Sequence, residues 1–357
     1  MSEPLQESNY SEENDVYNEY EEQHDNSLNM IIVVFYSVTF ILGALGNSLV
    51  IWVTGFKMKR TVNTFWFQGL ATVDLLFTLT LPWSITYRIL NFHWPFGAFA
   101  CKLNTTVEFF NIFASNFLIM IISLDRMLVV VFPVWSHNHR TLKLASFVVF
   151  LASMSSIGMS LPYFIFTETM TVSSYLGPTK CYTSLLFLED YEKENTEDIV
   201  KRRQNALFAV RFIYGFLIPF SIIIICYISI LWRIQRINNA NQSKTSTVFY
   251  ALIVIFIICW FPYHVFDLIE IVYRNSERND YQIERALKFG VPIAIGFAYF
   301  HSCINTMLYV FMGQHVREIF KKSLLTVLRN AFSEERDYFT RSSRSQSYSG
   351  TLQNTVI

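Results

Sequence analysis

The 357-residue chain is 52% hydrophobic and 17% aromatic with only 16% of residues charged, a balance too oily for a soluble domain with an ordinary wet surface. A formal net charge of zero conceals an asymmetry: residues 1–28 carry Glu3, Glu7, Glu12, Glu13, Asp15, Glu19, Glu21, Glu22 and Asp25 but no Lys or Arg. That start has the pattern of neither a signal peptide nor a transit peptide, and no nucleic-acid partner is expected.

The first element in chain order, residues 1–28, reads as a disordered acidic arm. Tyr10, Tyr17 and Tyr20 are embedded in acids, a context suited to sulfation, and Asn9-Tyr10-Ser11 is an N-glycosylation acceptor. Added negative charge on such an arm would steer a basic protein ligand. Asn104-Thr105-Thr106 fits the acceptor pattern too, but it sits at a helix mouth and no modification is expected there.

Seven long apolar runs follow, at approximately 29–56, 62–90, 98–125, 144–166, 205–232, 245–272 and 287–312. Each approaches the ~20 residues that a bilayer-spanning helix needs. The expected fold is therefore an all-α membrane protein, a seven-transmembrane helix bundle over 29–312, with its termini on opposite sides. Lys57, Lys59 and Arg60 follow the first run, Arg140 and Lys143 the third, Arg233, Arg236 and Lys244 the fifth, and Arg317, Lys321 and Lys322 the last. Loops rich in Lys and Arg face the cytoplasm, which places the acidic N-terminus outside.

Cys226, Cys259 and Cys303 fall within runs and read as packing residues. Cys101 and Cys181 are the two on the oxidising face, so either they bridge or they stay free thiols; the bridge is the expected pairing. Ionisable groups inside the runs need a reason, since even mild insertion scales charge about 2.5–3.5 kcal/mol for one at a helix centre. Asp74 lies midway along the second run, with Asn47, Ser115 and Asn305 as candidate partners. Such a cluster is either a monovalent-cation or proton site or a satisfied hydrogen-bond network. Asp125 and Arg126, in "SLDRM", are expected at the end of the third run, where they would at least mark the membrane boundary. Arg211, two turns before Pro219, either snorkels outward or offers an inward fork to a carboxylate. Pro262, in "FIICWFPYHVFDLIE" beside Phe256 and Trp260, marks a static bend or a hinge.

Beyond the seventh run, Val316, Ile319, Phe320, Leu324 and Leu328 recur at helical spacing beside basic residues, so 313–331 reads as an amphipathic helix on the inner leaflet. No cysteine follows Cys303, which excludes a palmitoyl anchor there. Residues 332–357 read as a disordered, phosphorylatable tail, and Thr355-Val356-Ile357 is a candidate strand for a PDZ domain.

From about Asn29 to Phe332 the chain resembles the rhodopsin-like (class A) G-protein-coupled receptors. "GNSLV", "LATVD", "SLDR", "CWFPY" and "NTMLY" each fall in the expected run and in order, with Cys101 and Cys181 at the family's disulfide positions. "FKMKRTVNTFWF", "NFHWPFG", "FPVWSHNHRT", "CWFPYH" and "LYVFMGQ" are similar to the chemoattractant branch, the formyl-peptide, complement anaphylatoxin and chemerin receptors, with the chemerin-like receptors the nearest in pattern. The resemblance implies a plasma-membrane receptor for a peptide or protein chemoattractant. Its implied partners are inhibitory heterotrimeric G protein, receptor kinases and arrestin. Arg88 and Arg211 are implied to receive an anionic peptide group, with Glu270 at the rim and Tyr263 and His264 in the same pocket. Asp125, Arg126, Phe256, Trp260, Pro262, Asn305, Tyr309 and Tyr227 are the implied activation switch. Asp74, Ser115, Asn47 and Asn305 would hold an allosteric sodium ion, and no other cofactor or metal is implied.

Four positions depart from the family pattern. Ser153 stands where the fourth span has tryptophan, Met127 follows Asp125-Arg126, Thr306 replaces the proline after Asn305, and His301 replaces an asparagine near the cation site. These admit a second reading as a signalling-impaired decoy or arrestin-biased scavenger. A channel or transporter would show inverted repeats or paired broken helices, and none is evident. An enzyme would need a nucleophile elbow, phosphate loop or HExxH pair, which the sequence lacks.

Overall fold

The computed structural model describes the backbone of residues 5–171, 177–186, 190, 195–237, 242–276 and 280–312. Side chains are described at 26–171, 177–186, 190, 195–236, 254–276 and 280–305. The side chains of Asn9, Tyr10, Tyr17, Tyr20, Thr306 and Tyr309, the 313–331 segment and the tail to Ile357 lie outside the described residues.

Seven helices among the described residues are long and apolar enough to cross a membrane. The first span, Asn26–Lys57, is the later part of α1 (Leu5–Trp52) continued by a π-helical turn (Val53–Lys57). The second begins at a capping box, in which Thr61 and Thr64 each accept the other's backbone N–H, at 3.2 and 2.8 Å. It is split into α2 (Val62–Thr78) and α3 (Leu81–Ile89), with Pro82 in the first turn of α3 where its missing N–H costs nothing. The third is α4 (Gly97–Val131), followed by a short α5 (Pro133–His139), and the fourth is α6 (Leu142–Phe166), N-capped by Thr141.

A β-hairpin then forms, β1 (Thr167–Thr171) antiparallel to β2 (Thr179–Thr183), with Thr169 opposite Cys181. The bridge between Cys101 and Cys181 is formed, so the hairpin is tied to the first turns of α4. The fifth span joins α7 (Thr196–Phe212) and α8 (Ile218–Ile237) through a π-helical turn (Ile213–Leu217). The sixth is α9 (Gln242–Asn275), the seventh α10 (Tyr281–Met312).

The third span runs further than the sequence pattern indicated. Asp125 and Arg126, expected at its end, lie more than a turn inside α4, because apolar Met127 to Val131 carry the helix on and Arg140 neutralises Asp125 from α5's end. The π-turn in the fifth span has a specific partner. The Gly215 carbonyl, four residues before Pro219 and so without a helical N–H to accept, takes Asn116 Nδ2 from α4 at 2.7 Å, and the irregular backbone deep in the bundle stays satisfied. A Cβ at Gly215 would begin 3.4 Å from the Phe113 ring, an ordinary van der Waals contact, so the two helices are already closely packed here.

Three apolar clusters hold the bundle. One joins α2, α4 and α6 around Trp66, Leu70 and Leu118; a second joins α4, α8 and α9 around Ile230, Phe256 and Trp260; a third joins α1, α3 and α10 around Tyr36, Leu81 and Tyr299. Large apolar side chains such as Ile41, Phe150, Ile225 and Val254 point outward, the inverse of a soluble surface and what lipid requires.

Candidate functional site: the pocket beneath the hairpin

Arg211 lies in the last turn of α7, one residue before the helix ends at Phe212 and the π-turn begins. Its Nε donates to Asp267 Oδ2 at 2.9 Å and its Nη2 to Asp267 Oδ1, a side-on bidentate pair between the fifth and sixth spans. Nη1 reaches the Tyr163 hydroxyl at 3.4 Å, and the guanidinium lies 5.5 and 5.7 Å from the rings of Phe109 and Tyr263. Snorkelling is thereby replaced by an inward, nearly buried ion pair with aromatic faces around it. The pair lines a cavity of about 330 Å³ that also takes in Gln204, Phe208, Tyr263 and Glu270. Arg274 Nη2 donates to Glu270 Oε1 at 2.6 Å on the cavity's wall.

The other implied pocket residues are placed elsewhere. Arg88 is not on this cavity's wall; it donates to Asn29 Oδ1 at 3.3 Å and lies over Tyr36, between the first and second spans. His264 is buried one layer deeper, 4.5 Å from the Phe216 ring, with neither ring nitrogen hydrogen-bonded among the described residues. Between these groups stands a residue the sequence reading passed over. Glu108, on α4, accepts the Tyr299 hydroxyl at 2.5 Å. An acid inside an apolar run was the available signal, and the rule applied to Asp74 would have found it.

Beneath the pocket, Trp260 is 1% exposed and packs 6.4 Å from Phe256 and 5.4 Å from His301. Phe256 stacks in turn on Phe216 and Phe220. Deeper still, Asn111 Nδ2 donates to Asp74 Oδ1 at 2.9 Å and Asn305 Nδ2 to Asp74 Oδ2 at 3.1 Å. Asn305 Nδ2 also lies 3.2 Å from Ser115 Oγ, and Ser302 Oγ donates to Asn111 Oδ1 at 3.2 Å. Asn47 stands at the edge, its Nδ2 3.4 Å from the Ser302 carbonyl. A connected polar network therefore surrounds Asp74, and Asn111 and Ser302 belong to it as much as the residues singled out by sequence. The Asp74 oxygens, Ser115 Oγ and the unpartnered, buried Asn305 Oδ1 are oxygen donors of the type a sodium ion needs. His301 brings a nitrogen 3.4 Å from Asn305 Nδ2, where the family pattern would bring an amide.

At the far end of α4, Arg140 holds both oxygens of Asp125, at 2.7 and 2.8 Å, and also donates to Asn63. Arg126 is left facing the Phe67 ring at 5.9 Å, its buried Nε without a hydrogen-bond acceptor among the described residues. The hydroxyls of Tyr227 and Ser123 are 3.3 Å apart beside it.

The sequence profile of the 7 transmembrane receptor (rhodopsin family) matches residues 46–309. The chain belongs to that family. It is 39% identical over 332 residues to the C3a anaphylatoxin chemotactic receptor of Danio rerio, covering 92% of this chain and 84% of that one. Formyl peptide receptor 2 of Mus musculus is 40% identical, covering 89% of each chain, and chemerin-like receptor 1 of Rattus norvegicus 37%, covering 86% and 81%. These relatives place the receptor in the chemoattractant branch. It is therefore a multi-pass receptor of the plasma membrane and not an enzyme. The receptor's departures fall at structured places: His301 against Trp260, Thr306 within the unbroken run of α10, and Ser153 on the wall of a cavity between α2 and α6.

Proposed function

We propose that this receptor takes an extracellular peptide or protein chemoattractant, a chemerin-like adipokine or a related inflammatory ligand, and signals through inhibitory heterotrimeric G protein and arrestin. Its N-terminus lies outside, and the arm carrying Tyr10, Tyr17 and Tyr20 meets the ligand first. The carrying observation is the Arg211 fork. Asp267 occupies its Nε and Nη2 edge, while among the described residues Nη1 meets the Tyr163 hydroxyl, in a cavity within the ~300–1,000 Å³ of ordinary ligand sites. A ligand carboxylate fits the Nη1 side of that fork. Receptor kinases would act on the tail, a PDZ protein at Thr355–Ile357 is a further partner, and sodium at Asp74 would favour the resting arrangement.

Cells expressing the chain, exposed in parallel to C3a, chemerin and a formyl peptide, test the reading. A fall in cyclic AMP with one of them, abolished by Arg211→Ala, is the expected result. Binding that survives Arg211→Ala unchanged would remove Arg211 from the ligand site. The decoy reading has one observation in its favour: α10 continues as helix through Asn305 and Thr306, where the family's proline would loosen it. Nucleotide exchange on purified inhibitory G protein separates the two, since a decoy binds ligand without exchange.

A further inference from the structure

A cavity of about 490 Å³ lies on the outside of the bundle, between α2 and α6 with α4 as its floor. Two small residues leave its walls open. Ser153 lines one wall where the family carries an indole, and Gly69 lines the other, where an added Cβ would meet nothing within 4 Å. Phe110 and Leu118 form the floor, and the wall belongs to the span least buried by the rest of the bundle, so the opening faces lipid. At one end the lining includes Arg60, exposed, with Lys57 and Lys59 exposed beside it in the chain. Arg60 has no carboxylate within ion-pair distance among the described residues. From Thr64 to Leu76 the groove follows α2 for about 18 Å at 1.5 Å per residue. That is close to one leaflet, half of the ~30 Å hydrocarbon core.

We infer that this groove binds one acyl chain of an anionic phospholipid, with the headgroup phosphate held at Arg60. A chain one leaflet long matches the groove's reach, its methylenes meet Phe110, Leu118 and Val149, and a basic mouth selects an anionic head. The serine is then functional: it removes the side chain that would fill the space. The inference needs only that the chain spans a membrane and stands apart from the choice of chemoattractant.

The test uses the full chain in nanodiscs of phosphatidylcholine with a minor share of phosphatidylglycerol carrying a diazirine on one acyl chain. Photolysis and peptide mass spectrometry are expected to place label on residues 69–76 and 149–153. Ser153→Trp should abolish it, and Gly69→Leu, filling the groove from the other wall, serves the same purpose if the tryptophan variant fails to fold. Arg60→Gln should lower the preference for phosphatidylglycerol over an equally labelled phosphatidylcholine about fivefold. Label unchanged in both filled variants, or equal for the two headgroups in the parent, overturns the site as an anionic-lipid site. Displacement by cholesterol without headgroup preference would assign the groove to a sterol and overturn it equally.

Discussion

Arg211 and Asp267 are each nearly buried and each the other's charge partner, so removing one strands the other. Stranding a buried charge costs about 3–5 kcal/mol, whereas removing both is often close to neutral. Arg211→Ala and Asp267→Ala should therefore each lower the thermal unfolding temperature of the purified receptor, and the double variant should recover most of the loss. Ligand binding should not recover with it, because the carboxylate still lacks its fork. Additive losses in the double variant would show that the two side chains are not coupled, and the pair would cease to explain how Arg211 is aimed.

At the scale of the element, two helices carry residues of the proposed activation switch. Asp125 is held from outside α4 by Arg140, not by its neighbour Arg126. Arg140→Ala frees that carboxylate to pair with Arg126, and if the proposed switch works by moving Arg126, the new pair slows it. Agonist-stimulated nucleotide exchange should fall by roughly tenfold for ~1.4 kcal/mol of added resting-state stability, while Arg140→Lys, which keeps the charge, should retain part of it. Faster exchange in the Ala variant would reverse the assigned direction. In α10, Thr306→Pro removes a backbone donor and loosens the helix near Asn305. It should raise agonist-stimulated exchange at matched surface expression, and no gain would reject the idea that the missing proline limits output.

For the whole molecule, the bridge from Cys181 to Cys101 fixes the hairpin above the cavity, where Thr183 and Ser184 form part of its wall. It closes a loop spanning 80 positions, and bridges typically contribute about 2–4 kcal/mol. Cys181→Ser should lose ligand binding before it loses the seven-helix bundle, whose apolar clusters lie below the hairpin. Helical circular dichroism retained beside a loss of surface ligand binding is the expected pair of readings; full affinity without the bridge would detach the hairpin from recognition.

Seven spans were legible in the sequence because the cost of placing each residue in hydrocarbon sums along the chain, whatever the other spans do. The Cys101 and Cys181 pairing followed from the same topology, two thiols on one face. Asp74 was legible too, since a lone acid in an apolar run announces a polar partner. Asn305, named as a candidate partner from the sequence, does bond Asp74, but the other pairings were decided by the tertiary structure. Asn111 reaches Asp74 from 37 positions away, Asp267 takes Arg211 from 56, and Tyr299 meets Glu108 from 191. Each pairing depends on how far a helix is rotated and where it breaks, as at the π-turn beside Arg211 and the split between α2 and α3. Hydrophobicity is additive and one-dimensional; pairing is a matter of angle and distance between helices, and no local pattern in the chain encodes it.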